Sequence, residues 1–284
     1  MKGTTEPSVI FSVVIPTYKR HDDLFRCLDA LSHHFNIDSS QSYKFGVEVI
    51  VSDDACEITL HDVLKDRYPW CRYVEGPTRG PASNRNYGAK QASGEWLAFI
   101  DDDCVPQPGW LESFARHTSC CDILEGRTSA CGTRTRVDQE CPINESGGHL
   151  WSCNFAITRD CFFDMNGFNE NFPTAAMEDI EFRTRALKLG KSIKFLYDAL
   201  VYHPWRTRKG FAFSLLYKKS LKQFVQLHPE FKSKYSFSSQ LLCALRCIKR
   251  SLECAWTTRK WRGLMRQIAL DINWSVQTWL AVAC

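Results

Sequence analysis

No two cysteines in this 284-residue chain are spaced C-x-x-C and no Cys/His run has zinc-finger spacing, although it holds fourteen cysteines. That excludes a structural zinc module, and at this length a secreted disulfide scaffold is the weaker reading. Free thiols in a reducing compartment remain, many of them packed as small hydrophobes. Long apolar runs are lacking too. No uncharged stretch reaches the roughly 18 residues of a membrane span, and the most hydrophobic late segment is broken by Arg266 and Asp271. The opening Met1–Ser8 has one lysine and no apolar core ahead of a cleavage site, so it does not read as a signal peptide. The Asn144-Glu145-Ser146 sequon is then coincidental. The expected location is the cytoplasm, with a peripheral place on the inner face of the plasma membrane as a variant of it. Neither G-x-G-x-x-G nor G-x-x-x-x-G-K-[ST] occurs, which removes the main support for dinucleotide oxidoreductases and P-loop enzymes.

A hydrophobic content of 44% is ample for a core. The net charge of +4 conceals an asymmetry: residues 204–284 carry 15 Lys/Arg against 3 Asp/Glu, a net of +12, which leaves −8 for residues 1–203. Two regions with different partners follow from that split.

The β-branched run Val9–Ile15 predicts a buried strand stopped by Pro16, followed by a helix with acids at Asp22 and Asp23 and with Leu24, Leu28 and Leu31 at helical spacing. Val47–Val51 predicts a strand ending in Ser52-Asp53-Asp54, residues 59–67 a helix, Cys71–Val74 a strand, Gly80–Ala92 a helix and Trp96–Ile100 a strand. The polar stretch Cys120–Gly148 carries no clear signal. Beyond it, Phe155–Thr158 reads as a strand and Gly167-Phe168-Asn169 as a turn. Glu178–Leu189 reads as a helix with Ile180, Thr184 and Leu187 on one face and Gly190 as its stop. Two short strands, 192–195 and 199–202, end at His203. This alternation implies an α/β fold around a mostly parallel, doubly wound sheet.

The strand Trp96–Ile100 ends in Asp101, Asp102 and Asp103. Three acids in a row are tolerated where a cation neutralises them, and in extended backbone Asp101 and Asp103 point to one side, Asp102 to the other. A divalent metal is one reading, an acidic turn with solvated or capping carboxylates the other. The strands ending at Asp53-Asp54, at the triplet and at Pro16-Thr17-Tyr18 would meet at the carboxyl rim of the sheet, where such folds bind ligands.

In this order the pieces resemble family 2 glycosyltransferases of the GT-A fold. The resemblance rests on Val14-Ile15-Pro16-Thr17-Tyr18, Val51-Ser52-Asp53-Asp54, the stretch 79–86 beginning Arg79-Gly80-Pro81, Phe99-Ile100-Asp101-Asp102-Asp103, Trp151-Ser152-Cys153-Asn154, Asn166-Gly167-Phe168 and Glu178-Asp179. It covers roughly residues 9–205. It implies a GT-A catalytic domain over 1–205, with a nucleotide-binding half (9–104) and an acceptor-binding half (105–205), followed by a basic amphipathic helical region over 206–284. It also implies an inverting transferase that moves a sugar from a nucleotide-sugar, a UDP-sugar favoured, to a hydroxyl in polysaccharide or glycoconjugate synthesis.

Carried over residue by residue, Asp53 accepts a hydrogen bond from the base, with Pro16, Thr17 and Tyr18 lining the same pocket. Arg85 lies near the base or diphosphate, and Asp101 and Asp102 belong to the nucleotide-sugar side. Mg2+ or Mn2+ is held by Asp103, Asp101 and His203, the plain alternative for His203 being a capped or surface histidine. Trp151 and Asn154 lie on the acceptor side. Asp179 is the expected general base, with Glu178 beside it as the other candidate and Glu181 as a further acid raising its pKa. The plain alternative for these acids is a favourable helix start. A loop through Phe172-Pro173-Thr174 is placed to act as a lid. Ala55-Cys56 stands where many members have Gly-Ser, and Cys153 departs from the pattern on the acceptor side. A nucleotidyltransferase with a similar sheet and a catalytically silent sugar-nucleotide binding protein are the competing readings.

In the basic region Leu241, Leu245, Ile248, Leu252 and Ala255 form a helical stripe, and five of the nine tryptophans follow His203. Contact with an anionic membrane carrying a lipid-linked acceptor is one expectation, a stripe packed on the catalytic domain the other, and no nucleic-acid recognition fold is present.

Overall fold

The β-branched opening run forms β1 (Val9–Thr17) at the centre of an eight-stranded sheet in a computed structural model that describes residues 9–32, 35, 45–172 and 176–283. Met1–Ser8, and Pro173 and Thr174 of the expected lid, lie outside the described residues. The chain continues through α1 (His21–Ser32), β2 (Gly46–Asp53), α2 (Ile58–Arg67), β3 (Cys71–Glu75), α3 (Pro81–Gln91), β4 (Trp96–Ile100), β5 (Val105–Pro106) and α4 (Trp110–Ala115). Then come β6 (Ile123–Cys131), β7 (Gln139–Glu140), β8 (Asn154–Thr158), α5 (Arg159–Asp164), α6 (Glu178–Lys188), β9 (Ile193–Pro204) and β10 (Arg206–Thr207). Last are α7 (Phe211–Leu227), a 3-10 helix (Pro229–Tyr235), α8 (Phe237–Thr258) and α9 (Leu264–Ala283).

The sheet order is β3-β2-β1-β4-β8-β6-β9-β5. Strands β1 to β4 pair in parallel, while β8 runs antiparallel to β4 and β6, and β5 antiparallel to β9. Alternation along the strands divides the core in two. Phe11, Val13 and Ile15 of β1 pack with the leucines of α1 and α2 and with Trp110 and Phe114 of α4. Val14, Leu97 and Phe99 face the other way, onto Ala82 and Ala89 of α3, Phe162 of α5 and Phe182 of α6. The result is helix, sheet and helix in three layers, the arrangement that places functional groups at the carboxyl ends of the parallel strands.

Three local expectations change. Pro16 lies within β1 instead of ending it, in register with Ser52. It comes after Val14, the last residue of β1 paired with β4, so on that side its missing N–H forfeits no ladder bond. The two short strands before His203 are one strand, β9. The buried face of α6 is not the Ile180–Thr184–Leu187 face: Ile180 and Leu187 are exposed, and the helix buries Glu178, Glu181, Phe182, Thr184 and Ala186. Phe182 is claimed by the aromatic cluster of Phe99, Phe155, Phe162 and Phe168, which fixes the helix rotation against its aliphatic positions.

Two compact units are distinguished. The first takes the described residues of Met1–Ser129, Pro142–Glu170 and Glu178–His203 and holds the sheet. The second takes those of Ala130–Cys141, Asn171–Met177 and Pro204–Cys284, so two segments that precede residue 206 belong with the helices. Its own apolar clusters gather Phe172, Met177, Leu221, Phe224 and Ala281 in one place, and Val137, Ala255 and Leu264 in another. The stripe Leu241, Leu245, Leu252 on α8 is exposed, and only Ala255 of the expected face is fully buried.

Candidate functional site

The carboxyl rim of β1, β2 and β4 collects the acids that the sequence pointed to. Asp53 ends β2 fully buried, with Oδ1 accepting from the Ala55 N–H at 2.9 Å and Oδ2 from the Glu57 N–H at 2.8 Å and the Tyr73 hydroxyl at 3.2 Å. A carboxylate has roughly four acceptor positions, so three are engaged in shaping this turn. Asp54 accepts from the Thr78 N–H at 2.6 Å and the Gly80 N–H at 2.8 Å and so anchors the entry to α3. Pro16 and Thr17 close β1, where the Thr17 hydroxyl donates to Asp102 at 2.9 Å; Tyr18 is 54% exposed.

The triplet is divided by its partners. Asp101 Oδ1 meets Arg85 Nη2 at 2.6 Å. Asp102, fully buried, is held by Thr17 and by Arg20 Nη2 at 3.1 Å, so the acid expected to face away ties β4 to the β1 turn. Asp103 Oδ2 lies 3.5 Å from His203 Nε2 and 3.5 Å from Arg20 Nη1. Burial alone would raise the pKa of Asp101, but the Arg85 guanidinium, aided by His203 and Arg20, outweighs it and holds the carboxyl below its usual range.

Across this cluster stands the first turn of α6. Arg85 is buried, with Nη1 3.9 Å from Glu178 Oε1, and its charge acts on Asp101, Asp179 and Glu178 together. Glu178 is pushed up to about 8 by burial and by the charge of Asp179, against the pull of Arg85. Asp179 is raised as well, by burial first and by Asp101, while Arg85 and hydrogen bonds from Ser152 oppose the rise. Its Oδ1 is buried and accepts no hydrogen bond. Glu181, expected to add to this repulsion, instead pairs with Arg185 at 2.8 Å. Arg185 also donates to the carbonyls of Met165 and Gly167, clamping α6 to the preceding turn. Gly167 is needed there: its φ is +62°, and a Cβ would stand 2.5 Å from Asn86 Oδ1. Asn86 donates to the Phe168 carbonyl and accepts from its N–H, both at 2.8 Å, which locks the turn against α3.

The two acceptor-side residues fall differently. Trp151 is half-buried, stacked on His149 with ring centroids 5.1 Å apart, and its buried Nε1 has no hydrogen-bond partner. Asn154 is interior: it donates to the carbonyls of Arg127 and Ala199 and accepts from Trp110 Nε1 at 2.8 Å, opposite Ile100 in the sheet. Both of its N–H bonds are thus engaged in the fold. Arg20, Asn86 and Ser152 were given no role by the sequence, and Cys104 is a fourth such residue. Asn86 and Ser152 lay inside quoted motifs, and Arg20 and Cys104 close beside others, which was the only signal they gave.

One ligand atom each from Asp103, Cys104 and His203 lies within 4.8 Å of the others, the one such group of three found among the described residues. The Cys104 thiol is fully buried, and burial pushes its pKa well above the ordinary value, so it is a neutral, soft group that suits neither magnesium nor manganese. Asp103 and His203 do suit a hard divalent cation completed by water or phosphate oxygens, and the imidazole favours manganese, whereas Asp101, the third expected ligand, falls outside this group of three with its Oδ1 on Arg85.

The Glycosyl transferase family 2 model matches residues 12–172, more than half of the chain. Glycosyltransferase AglE of Haloferax volcanii is 26% identical over 213 residues, which cover 69% of this chain and 67% of that protein. Other curated relatives are longer, and the chain spans as little as 32% of one of them. Among solved structures, the mannosyltransferase PcManGT from Pyrobaculum calidifontis in complex with GDP-Man and Mn2+ matches 99% of this chain and 87% of its own, with a TM-score of 0.58 at 16% identity. S. aureus TarS 1-349 in complex with UDP-GlcNAc matches 95% and 90%, with a TM-score of 0.52 at 18% identity. At these identities the likeness shows the fold, which is of GT-A type. With that model match covering more than half of the chain, the chain belongs to glycosyl transferase family 2.

Proposed function

We propose that this chain is a metal-dependent, inverting glycosyltransferase that takes a sugar from a nucleotide-sugar and places it on a hydroxyl of a saccharide or lipid-linked acceptor, in polysaccharide or glycoconjugate synthesis. The observation that carries this reading is the pair Glu178-Asp179 joined through Arg85 to Asp101: two carboxyls held towards the protonated state beside one held charged. An acceptor hydroxyl gives its proton to Asp179 Oδ1, the atom left without a hydrogen bond, while Ser152 fixes the carboxylate. The acceptor oxygen forms its bond to the anomeric carbon as the bond to the diphosphate breaks, and the diphosphate leaves with the electron pair. Glu178, lifted to about 8, is largely protonated at neutral pH and so serves neither as a nucleophile nor as a second base. One displacement and inversion follow.

Asp103 and His203, with Asp101, would hold Mg2+ or Mn2+, which supplies positive charge to the departing diphosphate when bound. Asp53 retains one acceptor position for a base N–H, which uracil and guanine offer on the ring and adenine and cytosine do not; a UDP-sugar is favoured. The fold neighbours in complex with UDP-GlcNAc and with GDP-Man support a donor of this class.

The test is a donor screen that measures release of nucleoside diphosphate from UDP- and GDP-sugars with manganese, magnesium or EDTA, with the product anomer read by NMR. Turnover with one donor, lost in EDTA and restored by manganese, and an inverted anomer are expected. A retained anomer would overturn the single displacement, and EDTA-resistant turnover would overturn the metal.

A further inference from the structure

Every exposed residue of α9 is apolar: Met265, Ala269, Ile272, Val276 and Ala283. Its buried positions are Leu264, Leu270, Asp271, Ser275, Thr278 and Ala281, half of them polar. A helix of a domain bathed in water shows the opposite pattern, with large aliphatics inside and polar groups outside. The same inversion recurs on α8, which buries Gln240, Ala244, Ser251 and Ala255 and exposes Leu241, Leu245, Leu252 and Trp256. At 100° per residue those four exposed positions form one stripe. Met265 is 77% exposed and Trp256 75%, so these are not grazing exposures. The helices run antiparallel: Phe237 at the start of α8 meets Trp279 near the end of α9, while Trp256 meets Trp261 at the connection. Inward positions that are mostly small or polar, with large apolar residues outward, are what helices adopt where their surroundings are apolar.

Charge decides what covers this face. From Ser236 to Ala283 there are seven Lys/Arg and two acids, and one of those acids, Asp271, is buried against Arg208. On α8, Lys249, Arg246 and Arg250 follow the apolar stripe around the helix on the side away from its buried face. A second copy of the chain would bring these like charges together, whereas acidic headgroups neutralise them. Trp256 and Trp261 stand at the connection, in the position where indoles favour the boundary between lipid and water. No described helix is long and apolar enough to cross a membrane, so the contact is in the plane of the surface. We infer that α8 and α9 form an interfacial hairpin that docks on a bilayer rich in anionic phospholipid. The inference goes beyond the transferase reading and does not depend on it.

The test is flotation of the full chain, without donor or acceptor, with vesicles of phosphatidylglycerol and phosphatidylcholine in equal parts, against vesicles of phosphatidylcholine alone. Binding to the anionic vesicles is expected, weakening with salt, and each of Lys249→Gln and Arg250→Gln should lower affinity about fivefold. Ile272→Glu with Val276→Glu should abolish flotation while leaving the far-UV circular dichroism unchanged. The inference is overturned by absence of flotation at low salt, by equal flotation of this double variant, or by a lipid-free dimer that the double variant dissociates.

Discussion

A carboxylate that takes a proton from a sugar hydroxyl must be anionic and must have an oxygen free to receive it. Asp179 has that oxygen in Oδ1, and its raised pKa matches its basicity to the task. Asp179→Asn should lower kcat by about 10²–10⁴-fold with donor binding retained, since no contact expected for the nucleotide passes through it; a variant with full turnover would remove the assignment. The pH dependence follows from the same groups. Activity needs the ionised base, so kcat/KM should rise with pH along a limb displaced upward from the ordinary aspartate value, because burial and Asp101 raise Asp179. The stability sign is opposite: groups whose folded pKa is raised favour the folded state at low pH and lose that contribution as pH climbs towards 8. Asp101, held below its usual range, contributes stability that is lost as pH falls. A limb near pH 4, measured under donor saturation and subsaturation alike, would contradict the raised pair.

Helix α3 is an element in which local propensity and packing disagree. It buries Ser83, Asn84, Arg85 and Asn86, which a core helix avoids; Asn84 ties the β1 and β2 rims, Asn86 the Phe168 turn, and Arg85 pairs with Asp101. Gly88 brings the helix against the sheet: a Cβ there would stand 2.7 Å from Val14 Cγ1 and 3.4 Å from the Ser52 Cβ. On an exposed helix Gly→Ala gains about 1 kcal/mol, whereas overpacking a full core costs about 1–3 kcal/mol. Val14 is fully buried in the centre of the sheet and cannot give way, so Gly88→Ala should be destabilising in urea denaturation, and a more stable variant would contradict this packing. Elements of this kind also set how much the sequence could reveal. The continuous strands β1, β2 and β4 and the acids after them were readable, because burial on both faces writes itself as an apolar run. The rotation of α6 was not, because Phe182 answers to three distant phenylalanines rather than to its own helical period. Nor were Asn154 in the sheet interior and Ser152 beside Asp179, whose partners come from segments far away in sequence.

At the scale of the molecule, the acidic rim and the basic helices are separate charge centres within a chain of small net charge. The site's acids Asp101, Asp103 and Asp179 carry like charge, against which Arg85, Arg20 and His203 are set. A ligand that brings cation and diphosphate together should therefore stabilise the folded chain beyond what either does alone. A nucleoside diphosphate with manganese at 100 times its Kd should add about 2.7 kcal/mol. For a chain of this size that is a rise of roughly 5–10 °C in Tm. The shift should shrink without the metal, and it should be largely lost in Asp103→Asn, which removes a proposed metal ligand while leaving the Asp53 turn and the Arg85 pair untouched. It should survive in Asp179→Asn, which separates donor binding from proton transfer. If no nucleoside diphosphate raises Tm with or without manganese, the rim of acids is a structural network and the donor reading of this site fails.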